Sequence, residues 1–260
     1  MTSYNLFDLP VYVLLPIVFF LIIFFSWLGN RYKKNRLRKY PEEKFEKGRL
    51  QGAALSILSL LMGFTFSVAM TKFETQRRVI SQEAAYIKTA ILRCDTYPDS
   101  LRDLLRADFK EYIETRIAYY DEINNYKSAE ELKKAELISK RIWEKTVFQM
   151  QSSGSIVRSS QMIPAVNNMM DIAITRDGEK ISKVPILVLW VLLIFMLIDA
   201  FILGADLVNK KSRAKMAVIT YAIVMSLTLN LIIELHQPRI GLINLDAVEK
   251  QIVDLRELVK

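Results

Sequence analysis

Residues Leu60–Asp95 read LLMGFTFSVAMTKFETQRRVISQEAAYIKTAILRCD, passing from apolar to charged with no Pro and with Gly63 as the only Gly. A stretch without breakers predicts one helix that leaves a membrane and continues beyond it. From Phe66, the positions Phe66, Met70, Phe73, Arg77, Ile80, Ala84, Ile87, Ile91 and Cys94 recur at alternating steps of four and three, the spacing of a coiled-coil seam. Arg77 is the one charge on that seam.

Working outward, 52% of the residues are hydrophobic and 25% are charged, and the apolar ones gather in four runs of 19 to 23 residues. Leu9–Leu28 and Gly52–Met70 carry no charge, Ile186–Val208 carries Asp199 and Asp206, and Met216–Leu235 carries Glu234. Each run suits a helix crossing a hydrocarbon core of ~30 Å. The first is expected to be a retained anchor, because its apolar stretch is too long for a signal peptide and no small-x-small cleavage site follows. Between the first two runs, residues 31–50 hold nine Lys or Arg against three Glu, and NKKSRAK at 209–215 holds four Lys or Arg and no acid. Both short loops point to the cytoplasm, which places the two termini and residues 71–184 outside. The net charge of +8 is then a topology signal and, at residues 31–39, a surface for anionic headgroups. Nucleic acid is not expected as a partner.

Residues 71–184 read as almost wholly helical. Pro98 suits the first turn of a helix from about Asp99 to Asn124, and Ser128-Ala-Glu-Glu131 has capping-box spacing for a helix to about Gln151. A further helix is expected from about Ile156 to Ile174, interrupted or bent near Pro164, followed by a polar link TRDGEKISKVP. The segment is long enough to bury its own core as a helical bundle. The expected fold is an all-α integral membrane protein: transmembrane hairpins at 1–70 and 185–235, a helical domain at 71–184 entered by a continuous second helix, and an amphipathic tail at 236–260.

The chemistry available is limited. His236 is the only His and Cys94 the only Cys, so no metal cluster, intrachain disulfide or Ser-His-Asp triad can be drawn, and no glycine-rich phosphate loop occurs. No enzyme activity and no cofactor are expected. Carboxylates of the exterior helices alternate with Lys and Arg, as in SAEELKKAELISKR, and read as solvated faces with i,i+4 pairs.

Inside the membrane, Gly52, Ser56, Ser59, Gly63 and Ser67 share one face of the second helix at steps of four, three, four and four. Small faces of this kind serve close helix packing. Alternatively they line a watery path in an oligomer, with Ser56, Ser59, Gly63, Phe66, Ser67 and Met70 facing it and Phe64 or Phe66 narrowing it. Asp199, about 13 residues into the third run, calls for protein or water around it, and antiparallel pairing places it near Thr220 and Tyr221, whose hydroxyls would satisfy it. Asp206 is expected to pair with Lys210 or Lys211, and Asn230 to bond between helices. Glu234, His236 and Arg239 would cluster at an outer mouth.

The run LIIELHQPRIGLINLDAVEKQIVDLREL resembles the C-terminal signature of the bacterial bestrophin-like domain family: an apolar helix ending in an acid, a polar link with Pro, Gly-Leu-Ile, and an amphipathic tail with Asp-Leu. GFTFSVAMTKFETQRRVISQEAAYIKTAILRCD is similar to a second family stretch, and VNNMMD to a third. The resemblance covers most of the chain from Gly52 onward. It implies a four-helix protein of the bacterial inner (plasma) membrane and kinship with bestrophins, pentameric anion channels whose second helix lines the pore. The expected function is a homo-oligomeric channel for inorganic ions. The alternative is a non-conducting sensor or scaffold whose exterior domain binds an envelope partner through Arg77, Tyr112, Tyr119, Tyr120 and Tyr126.

Overall fold

The computed structural model describes residues 9–40, 49–121, 128–153, 156–181, 185–208, 213–236 and 243–260. Eight α-helices run in chain order through these residues: α1 Val11–Lys39, α2 Arg49–Arg93, α3 Asp99–Asp121, α4 Ser128–Ser153, α5 Ile156–Ile181, α6 Ile186–Asp206, α7 Arg213–His236 and α8 Asp246–Asp254. Among the described residues there is no strand. Helices α1, α2, α6 and α7 are long and apolar enough to cross a membrane.

The chain divides into two compact units, one of Met1–Glu74 with Lys183–Asn244 and one of Thr75–Ser182 with Leu245–Lys260. The division falls inside α2. That helix runs unbroken for 45 residues, about 68 Å at ~1.5 Å per residue, as the absence of breakers predicts.

In the first unit, α1 packs on α6 and α7. Pro10 starts it, its carbonyl accepting from the Val13 and Leu14 N–H groups at 2.8 and 3.0 Å. The expected loop at residue 31 is corrected: α1 continues through RYKKNRLRK to Lys39. Lys, Arg and Leu are good helix formers, cations favour a helix C-terminus, and the stop comes at Tyr40, before Pro41. Leu14, Val18 and Ile22 of α1 are buried, as are Leu189, Leu192, Met196 and Ala200 of α6. The two helices cross at glycines. A Cβ on Gly29 would lie 2.0 Å from the Phe201 carbonyl oxygen, and one on Gly204 would lie 1.8 Å from that of Ser26, so no other residue fits either position. Asp206 pairs with Lys33 of α1 at 3.3 Å. The loop lysines Lys210 and Lys211, its expected partners, lie outside the described residues.

In the second unit, α3 packs on α4 and α4 on α5. Leu105, Phe109, Tyr112 and Ile113 of α3, Ile138 and Ile142 of α4, and Met162, Val166 and Met169 of α5 form much of its core. Helix α5 is not interrupted at Pro164, and it departs from expectation by running past Ile174 to Ile181. Met162, Ala165 and Val166, beside the proline in the chain, are buried, and that burial works against the ~3 kcal/mol an interior proline costs. Beyond Ile174, Arg176 and Asp177 are held by side-chain partners, which extends the helix through the expected link. The C-terminal residues belong to this unit: Val248, Ile252, Leu255 and Val259 are buried, and the Arg256 guanidinium forks onto the Glu114 carboxylate, its Nε donating at 2.7 Å.

The α2 seam is buried at six of its nine expected positions. Phe73, Ile80, Ala84, Ile87, Ile91 and Cys94 are buried, but Phe66 and Arg77 are exposed. Within Gly52–Met70 the buried stripe is instead Leu58, Met62, Thr65 and Ala69. A helix of 3.6 residues per turn drifts against a strict seven-residue repeat, so one inward face cannot hold the same heptad positions over this length.

Candidate functional site

The small-residue face of α2 lies opposite the buried stripe. Gly52, Ser56, Ser59, Gly63 and Ser67 are all exposed, and a Cβ added to Gly52 or Gly63 would meet nothing within 4 Å. Close packing within the chain therefore falls at Gly29 and Gly204, and this face is left open. Ser56 turns its hydroxyl back to the Gly52 carbonyl at 2.8 Å, which keeps the polar atoms against the helix. Phe64 and Phe66 stand exposed beside the face, and Met70 is half-buried.

The second polar feature lies between α6 and α7. A pocket of about 480 Å³ is lined by Asp199 and Leu203 of α6, by α7 residues from Met216 to Met225 that include Ala217, Thr220 and Tyr221, and by Leu55. Sequence reasoning brings Asp199, Thr220 and Tyr221 together, as observed. The satisfaction by hydroxyls is corrected: Tyr221 donates to the Met196 carbonyl at 3.2 Å, and neither oxygen of Asp199 has a hydrogen-bond partner among the described residues.

At the far end of α7 stand two of the three residues expected at an outer mouth, Glu234 and His236. Glu234 is buried, accepting from Asn230 Nδ2 and from the Ile243 backbone N–H, each at 3.3 Å, so it ties the chain after α7 back onto the helix. The described bond of Asn230 is thus within α7 and not between helices. His236 is half-exposed and engaged with a partner; Arg239 lies outside the described residues.

Sequence reading missed a buried charge cluster in the second unit. Glu83 of α2 accepts from Arg116 Nε of α3 at 2.7 Å and from Arg176 of α5, which also reaches Glu249 of α8. Glu83, Arg116 and Arg176 are all at most 3% exposed, against the expectation of solvated faces. Burial disfavours the Glu83 carboxylate, but Arg176 and Arg116 outweigh it and hold its pKa below the ordinary value. Burial likewise opposes the Arg116 cation, and Glu83 overcomes it, raising that pKa. A signal existed: Arg116 shares the helical face of Leu105, Phe109, Tyr112 and Tyr119. Tyr112 and Tyr119 are themselves core residues, Tyr119 donating to Asp177 at 2.6 Å, which corrects their reading as partner contacts; half-buried Tyr120 donates to Asp246 at 3.1 Å. Tyr126 lies outside the described residues. Among those residues no group of His, Cys, Asp and Glu is placed to hold a metal.

Four apolar helices, a helical second unit and an unbroken α2 define an all-α membrane protein. The chain belongs to the bestrophin-like domain family, which matches residues 52–247. Its fold is similar to crystal structures of a bacterial bestrophin homologue from Klebsiella pneumoniae. A tryptophan-to-alanine variant superposes with a TM-score of 0.74 at 12% identity, covering 95% of this chain and 98% of that one. A tyrosine-to-alanine variant gives 0.70 at 11%, covering 93% and 98%. Comparison with curated proteins gives no match.

Proposed function

We propose that the chain assembles as a homo-oligomer, a pentamer by kinship, around the small-residue face of α2 and conducts inorganic ions along it. The observation that carries the reading is the open face itself: α2 buries Leu58, Met62, Thr65 and Ala69 and leaves Ser56, Ser59, Gly63 and Ser67 uncovered. Small, weakly polar side chains suit a wet path, and the bulky Phe64 and Phe66 beside them suit a constriction. Family membership and the likeness to a bestrophin homologue support a channel in general. Met70 extends the path and exposed Arg77 sets a positive potential beyond it. His236 and Arg239, at the end of α7 and after it, tune entry on that same outer side. Residues 31–39 meet anionic headgroups on the cytoplasmic side of the inner membrane, which places both termini and the second unit outside.

Planar-bilayer recording of the purified oligomer tests this. Wild type gives discrete conductance, Ser59→Phe lowers it and Phe66→Ala raises it. Intact oligomers that stay silent, or conductance indifferent to both changes, contradict the proposal.

A further inference from the structure

The pocket between α6 and α7 has no place in the conduction path described above. Its volume of about 480 Å³ falls within the range of small-molecule sites, roughly 300–1,000 Å³. Its walls are Leu55, Leu203, Met216, Ala217, Val224 and Met225. One polar side chain is aimed into it from the buried interior: Asp199, 2% exposed, with both oxygens unpartnered among the described residues. A buried carboxylate without donors or a counter-charge is costly, so its ionised form calls for a cationic partner.

We infer that this pocket binds a compact apolar ammonium, an alkyl or aryl amine whose charged head pairs with Asp199 while its body fills the apolar walls. The composition of the wall selects that chemistry. A hard divalent cation gathers about six or more oxygens, whereas this lining offers Asp199, the Thr220 hydroxyl and a Tyr221 hydroxyl already donated to Met196. An ammonium carries several N–H donors and the missing charge in one group. Depth excludes the headgroup of a bilayer lipid as the occupant. Asp206, paired with Lys33, marks the polar boundary, and Asp199 lies seven residues deeper, ~10 Å along α6. The amine of a headgroup stays within a few ångströms of its phosphate and does not reach that far.

The probe is 4-trifluoromethylbenzylamine, with the corresponding benzyl alcohol as the neutral counterpart. Both are followed by fluorine NMR on the full chain in phosphatidylglycerol nanodiscs. The ammonium binds wild type at least about tenfold more tightly than the alcohol. Asp199→Asn removes that preference, and Ala217→Trp, which fills the pocket, removes binding of both. Equal affinity of amine and alcohol for wild type overturns the inference, and so does amine binding unchanged by Ala217→Trp; neither reading needs the Asp199 variant to fold. Loss of amine binding when phosphatidylethanolamine is added to the nanodiscs assigns the pocket to the headgroup and overturns the compact-amine occupant. None of these outcomes depends on whether the oligomer conducts.

Discussion

Glu83 shows how a single residue ties the second unit together, joining α2 to α3 through Arg116 and to α5 through Arg176, which also holds Glu249 of α8. Removing one partner from a buried ion cluster leaves the others uncompensated. Glu83→Gln is therefore expected to cost about 3–5 kcal/mol in thermal or denaturant unfolding of the second unit. The same site sets a pH dependence. Because the folded pKa of Glu83 lies below its ordinary 4.5, the contribution is complete above that value and is lost as pH falls through the lower folded value. Wild-type stability should fall in that acid window, and in Glu83→Gln the fall should be smaller; identical acid profiles would remove Glu83 from the account. None of this was legible from charge alternation, which assigns exterior carboxylates to water. What reveals Arg116 is its register with buried Leu105, Phe109 and Tyr112, a pattern that counts for more than its charge.

At the scale of elements, periodicity identifies the helices better than it identifies what each face touches. The unbroken α2 follows from the lack of breakers over Leu60–Asp95, but the seam through Phe66 and Arg77 does not survive the drift of a straight helix. The small face was visible as a spacing, and its exposure was not, because tertiary partners decide exposure. By contrast, the crossing of α1 and α6 rests on Gly29 and Gly204, which sequence reading did not single out, since isolated glycines in apolar runs carry no partner information. Gly204→Val drives a side chain into the Ser26 carbonyl, and the expected loss is about 1–3 kcal/mol or more of first-unit stability, read as an earlier thermal transition of the detergent-solubilised protein. An unchanged transition would mean that α1 and α6 do not meet at these residues.

For the whole molecule, two properties remain to be tied together: which side the second unit occupies and what α2 faces. Cys94 cannot report the first, because it is buried and burial pushes its thiol up to about 12. Lys140→Cys, exposed on α4, can: the account expects labelling by a membrane-impermeant maleimide in intact spheroplasts, and labelling only after permeabilisation would reverse the orientation. The inert native thiol also permits the most direct test of the conducting face. Single-channel currents are recorded from Ser59→Cys, Gly63→Cys and Ile57→Cys proteins during perfusion with a charged methanethiosulfonate reagent. The account predicts that modification at positions 59 and 63 cuts the current while position 57, on a different face of α2, is unaffected. Equal sensitivity at all three positions, or currents untouched at Ser59→Cys and Gly63→Cys, would contradict a path lined by the small-residue face.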